Sequence, residues 1–182
     1  MKNALQTATP GWAIAAALLF ASSASYATEA AHVHGLMRLD IAFDKQVLTV
    51  QLASPLDSLL GFERAPRTPA ERRSADALLK QMGEAATLLK PDKAAQCVPT
   101  NVSIESAALQ ATATAPGQHA EHADLDARYE FTCAHPEKLT ALEIGLFDAF
   151  QRLRKIEVQV AGAKQQLRQT LQRPNRIITL DR

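Results

Sequence analysis

Four of the five histidines in this sequence form two close pairs, His32 with His34 and His119 with His122. Neutral imidazole suits zinc, and two rings a few residues apart can meet one ion. In His32-Val33-His34 the spacing is two, so an extended backbone there projects both rings from the same face. In His119-Ala120-Glu121-His122 the spacing is three, which converges on one helical turn or a tight loop. Glu121 and Asp124 add carboxylate oxygens beside that second pair. Copper(I) would favour sulfur ligands, and beyond residue 27 only Met37 and Met82 carry thioethers, so zinc is the better expectation. Solvated strand ends also carry histidines, and that plainer reading stands beside the metal site.

Other chemistry is weakly signalled. Gly61-Phe62-Glu63-Arg64-Ala65-Pro66 reads first as a turn with an anchored phenylalanine and a surface Arg–carboxylate pair, and second as a functional loop. No nucleophile elbow ties a serine to a histidine and an acid. Glu63 or Glu121 would serve as the base of a zinc hydrolase, but nothing in the sequence requires one. Asp124, Asp126 and Glu130 share the outward face of one alternating run, which reads as a solvated face rather than an acid–base pair. Non-enzymatic binding is therefore expected.

The elements that must position these groups begin after an export signal. Lys2 precedes an apolar run of ten residues, Trp12 to Ala21, and Ser25-Tyr26-Ala27 fits a small-x-Ala cleavage site. Such a run is too short to span roughly 30 Å of hydrocarbon. The expectation is a signal peptide over 1–27 and a single periplasmic domain over 28–182 that does not span the membrane. Twenty basic against nineteen acidic residues give a net charge of +1, with no basic stripe to hold nucleic acid. An apolar content of 47% excludes a disordered chain. In an oxidising compartment Cys97 and Cys133 are expected to form a disulfide, since they lack the Cys-x-x-Cys spacing of a redox catalyst.

Alternation marks the strands. Met37 to Phe43 and Leu48 to Leu52 flank the polar turn Asp44-Lys45-Gln46, which predicts an antiparallel hairpin ended by Ser54-Pro55. Thr68-Pro69-Ala70-Glu71 supplies cap, proline and capping acid for an amphipathic helix that runs to Gly83. Alternation returns at Val102 and Ile104 and from Leu125 to Cys133. It continues at Leu142, Ile144 and Leu146, at Ile156 to Val160, at Leu167 to Leu171 and at Arg176 to Leu180. A helical turn fits between Phe147 and Leu153, and Gln110 to Gln118 has a loop composition. The expected fold is mainly β, an antiparallel sheet or sandwich of about eight strands with one amphipathic helix. An α+β arrangement is the second choice.

Five segments in order carry a resemblance: His32-Val33-His34-Gly35, Ala53-Ser54-Pro55, Gly61-Phe62-Glu63 with Ala65-Pro66, Ala95-Gln96-Cys97, and Tyr129-Glu130-Phe131-Thr132-Cys133. Together they resemble the ZrgA family, exported bacterial proteins tied to zinc uptake. The resemblance implies a periplasmic zinc-binding accessory of a membrane zinc importer. It carries His32 and His34 over as first ligands and matches Glu63 in the turn. It places His119 and His122 in a variable loop that is His-rich in many members. This chain has Arg64 where the family commonly has His, which replaces a possible ligand by a cation. The runner-up is an interaction module that docks on a membrane transporter without holding metal. Oligomeric state is left open.

Overall fold

In the computed structural model of the chain, residues 33–110, 123–162 and 166–180 are described. Alternation sets the first strands. In β1 (Leu36–Asp44) Leu39 and Ile41 are buried while Arg38 and Asp40 face solvent. In β2 (Val47–Pro55) Leu48, Val50 and Leu52 do the same. The two pair antiparallel out to Asp44 opposite Val47, so Lys45-Gln46 is the whole connection, and Lys45 adopts φ +52° to make it. Pro55 ends β2 as expected, and a short helix, α1 (Leu56–Leu60), follows at once.

The predicted helix is α2 (Pro69–Met82). Thr68 accepts from the Glu71 amide while the Glu71 side chain accepts from the Thr68 amide, a complete capping box. Its buried face is Ala75, Leu78 and Met82. The Tyr129 hydroxyl donates to the Met82 carbonyl at 2.9 Å, which pins the helix C-terminus to the strand that carries Tyr129. Burial pushes that phenol's pKa up. Three further helices are one turn long: α3 (Ala85–Leu88), α4 (Ala107–Gln110) and α5 (Leu146–Ala149).

Among the described residues there are nine strands, close to the expected eight, in two sheets. The short strands β3 (Leu89–Pro91), β6 (Ala141–Ile144) and β9 (Ile177–Thr179) form the smaller sheet in the order β3-β6-β9. The larger is built from β1, β2, β4 (Cys97–Glu105), β5 (Asp124–Cys133), β7 (Lys155–Ala161) and β8 (Gln166–Gln172), in the order β4-β5-β2-β1-β7-β8. One core joins Leu39, Val50 and Tyr129 of the large sheet to Leu78 and Met82 of α2 and to Leu142 and Ile178 of the small sheet. The fold is mainly β and mostly antiparallel, as the alternation predicts.

Two details differ from the sequence reading. β7 runs parallel to β1, with Leu36 opposite Lys155, because the long intervening chain lets the strand re-enter from the same end. Leu146 does not continue the run of Leu142 and Ile144: β6 stops at Ile144, and Gly145 caps α5. The predicted signal segment 1–27, most of the predicted loop from Gln110, and with them His32, His119, Glu121 and His122 lie outside the described residues.

Candidate metal site

His34 is positioned by a turn. The Leu36 amide donates to the Val33 carbonyl at 3.1 Å, with Gly35 third in the turn at φ +78°. That is the type II pattern, in which glycine takes the left-handed position. The turn therefore precedes regular alternation, which starts only at Leu36, and His32, the other half of the pair, lies outside the described residues. Glycine directly after His34 is the sequence signal for the turn. The turn is held from two sides. Buried Ser58 of α1 accepts from the Gly35 amide at 2.9 Å and donates to the Leu36 carbonyl at 3.3 Å. The Gly35 carbonyl accepts from the amides of Arg154 and Lys155 at 2.8 and 2.9 Å.

The same helix brings the first carboxylate. Leu56 and Ser58 point into the fold, and Asp57 between them reaches His34, its Oδ2 3.6 Å from Nδ1. The Leu56 amide donates to the Ala123 carbonyl at 2.8 Å, which ties α1 to the start of β5. At its other end α1 stops at Gly61, φ +85°, whose amide returns to the Asp57 carbonyl at 2.9 Å. The left-handed residue reverses the chain. Glu63 then comes back to the same imidazole, with Oε1 3.3 Å from Nε2. The guanidinium of Arg152 packs over the bare Cα of Gly61, where a methyl group would stand only 2.6 Å from Cζ.

His34 thus has a carboxylate at each ring nitrogen, and the three groups are unequally sheltered. The imidazole is 66% exposed, while Asp57 and Glu63 are 24% and 34% exposed, so solvent and solutes reach the ring first. Glu63 Oε1 is itself enclosed and takes no hydrogen bond among the described residues. Its approach to Nε2 has the separation of two ligands on one tetrahedral zinc. With metal–ligand bonds of about 2.0–2.1 Å the tetrahedron edge is about 3.3 Å. Asp57 on Nδ1 then stands where a carboxylate orients a metal-bound histidine.

The turn reading of Gly61 to Pro66 also holds. Arg64 makes a two-pronged pair with Glu71 at 2.9 and 2.8 Å and stacks on Phe62, 5.0 Å from the ring centre. The Arg64 hydrogen bond, helped by the Arg67 amide, draws the Glu71 carboxyl down to about 2. The Arg64 cation is therefore engaged by Glu71. On the outward face of β5, Glu130 is paired with Arg128 at 2.8 Å, and burial followed by the charges of Asp124 and Glu105 raises the Asp126 pKa. His135 lies beyond β5, 3.7 Å from Glu137.

Of the predicted ligands, His34 and Glu63 are brought together. Asp57 was missed, because one acid in a five-residue helix carries no periodic signal. Among the described residues no three His, Cys, Asp or Glu side chains group closely enough to hold an ion by themselves. The described chain resumes at Ala123, directly after His122, on the carbonyl that accepts from Leu56. Cys97 and Cys133 are joined as a disulfide, directly opposite each other across β4 and β5. No helix among the described residues is long and apolar enough to cross a membrane.

A family model described as ZrgA family zinc uptake protein matches residues 31–180. No curated protein matches the chain.

Proposed function

Because the chain belongs to the ZrgA family of zinc uptake proteins, we propose that it is an exported, non-enzymatic accessory that captures zinc in the periplasm for a membrane importer. The observation that carries this reading is the enclosed Glu63 Oε1, without a hydrogen bond among the described residues, 3.3 Å from His34 Nε2. Those two atoms are the proposed inner ligands. Asp57 Oδ2, 3.6 Å from Nδ1, stands at the other ring nitrogen, where a carboxylate would orient a metal-bound imidazole. Two protein donors, one of them on an exposed ring, hold an ion loosely, whereas structural zinc sites close all four positions. Loose holding suits cargo that must be passed on. His32, His119 and His122 are the proposed sources of the remaining nitrogens.

Zinc titration by calorimetry, on oxidised chain 28–182 stripped with chelator, tests the assignment. One bound zinc is expected, with affinity lowered at least tenfold in His34→Ala and in Glu63→Gln. Separate double variants, His32→Ala/His34→Ala and His119→Ala/His122→Ala, divide the contribution of the two pairs. Unchanged affinity in His34→Ala removes that residue from the site.

The second reading is a docking module that meets a transporter without holding metal. Partner capture that persists in chelator, with both histidine pairs removed, would establish it.

A further inference from the structure

The two edges of the large sheet are defended differently. At the β4 edge Pro99 offers no N–H, and a bulge between Pro99 and Asn101 breaks the ladder to β5. Such features keep a second chain from adding to a sheet. The β8 edge has neither. Its residues, Gln-Leu-Arg-Gln-Thr-Leu-Gln, include no proline, lysine or acid. It pairs with β7 in unbroken register, from Lys155 opposite Gln172 to Ala161 opposite Gln166, and no described strand lies on its far side. Its one charge is drawn back over β7, where Arg168 Nε donates to Gln159 Oε1 at 3.1 Å.

The sequence of β8 is nearly its own reverse. A two-fold axis at Gln169 sets Gln166 opposite Gln172, Leu167 opposite Leu171, Arg168 opposite Thr170, and Gln169 opposite its own copy. Burial alternates along the strand, with Leu167, Gln169 and Leu171 on the core side. Pairing about this axis continues the leucine row from one copy into the next, with two amides meeting between the leucines. The adjacent registers fail. An axis at Arg168 sets two guanidinium groups face to face, and an axis at Thr170 sets leucine against glutamine. A slip that puts the axis between residues opposes core-side to solvent-side residues.

We infer that β8 is a homodimer interface: two copies pair β8 with β8, antiparallel about Gln169, and join their large sheets into one. The contact is a single ladder about 24 Å long, at about 3.4 Å per residue. Association through so narrow a contact is concentration-dependent.

Sedimentation velocity over a dilution series of oxidised chain 28–182 should show dimers that dissociate to monomers. Gln169→Lys and Gln169→Glu each oppose like charges across the axis, so either variant alone should stay monomeric. Mixed in equal amounts they should regain the dimer. Hydrogen exchange on the unaltered chain gives a test that needs no variant, because β8 amides directed away from β7 should lose protection on dilution. A chain that is monomeric at every concentration overturns the inference. So does a dimer that survives both substitutions, or β8 exchange that is independent of concentration.

Discussion

The strands of the large sheet end in two regions built on opposite rules. At one end β1 passes into β2 through Lys45-Gln46, the Cys133 amide donates to the Gln46 carbonyl at 2.8 Å, and Cys133 is bonded to Cys97. Hairpin, ladder and disulfide all fix the chain there. At the other end β1 begins at Leu36, β2 finishes at Pro55, and β5 starts opposite it at Asp124. There His34, Asp57 and Glu63 gather on a turn and a short helix. Backbone groups and buried Ser58 carry the structural bonds, so the three ionisable side chains are not needed for them. On the proposed function the difference separates stability from ion binding, and it predicts that each end can be damaged without the other.

The largest effect is expected at the fixed end. The disulfide spans 36 residues of sequence, and chain entropy assigns such a loop roughly 3–4 kcal/mol. Cys97→Ser/Cys133→Ser should lower the melting temperature by about 10 °C, on a scale of roughly 2–4 °C per kcal/mol for a chain of this size. Zinc affinity measured well below that temperature should not change. A parallel loss of affinity would show that the two ends are coupled.

Asp57→Asn asks the reverse question. Removing a carboxylate that orients a metal-bound histidine typically costs about ten- to a hundredfold in affinity, or about 1.4–2.7 kcal/mol. The amide keeps the size of the side chain, and Asp57 takes part in the cap of α1 only through its carbonyl, so thermal stability should move little. Equal affinity in the variant and the parent would remove Asp57 from the site. Calorimetry and a thermal melt on the same sample separate the two effects.

How legible each end was follows from the range of the forces that build it. The hairpin and β5 were readable because alternation is written along a single strand, and burying Tyr129, Phe131 and Cys133 on one face fixes their direction. The capping box at Thr68 was readable because every participant lies within four residues. The disulfide followed from compartment rather than from spacing. The pairing of β1 with β7 was not readable, because alternation shows that a strand exists but not which strand lies beside it. At the site end, His34 and Glu63 were visible as residue types, whereas their meeting depends on α1 and on the reversal at Gly61. Five residues are too few for helical periodicity to show, and that is why Asp57 escaped notice.

Gly61→Ala probes that reversal. Forcing a side chain into the left-handed region costs about 1–2 kcal/mol, and the new methyl group must also displace the Arg152 guanidinium. Glu63 should then lose its register against His34. Zinc affinity is expected to drop several-fold with a modest fall in melting temperature. Normal affinity in a destabilised variant would mean that Glu63 reaches the imidazole without the turn.

The smallest effect tests where the site ends. Glu71 titrates at 4.5 in the absence of partners and is drawn down to about 2 in the folded chain, chiefly by Arg64. Its folded value lies below its unfolded one, so the ionised pair contributes fully above pH 4.5, and that contribution fades as the pH falls from 4.5 towards 2. Glu71→Gln should therefore be slightly less stable than the parent at neutral pH and equally stable near pH 2, as an acid titration of the melting temperature would show. The difference is small because solvent screens the pair. The same substitution releases Arg64, one residue from Glu63, and a free cation beside a ligand carboxylate weakens its hold on a metal. A fall in zinc affinity at neutral pH, larger than the change in stability, would place the Arg64–Glu71 pair within the working end of the molecule. An unchanged affinity would confine it to the helix cap.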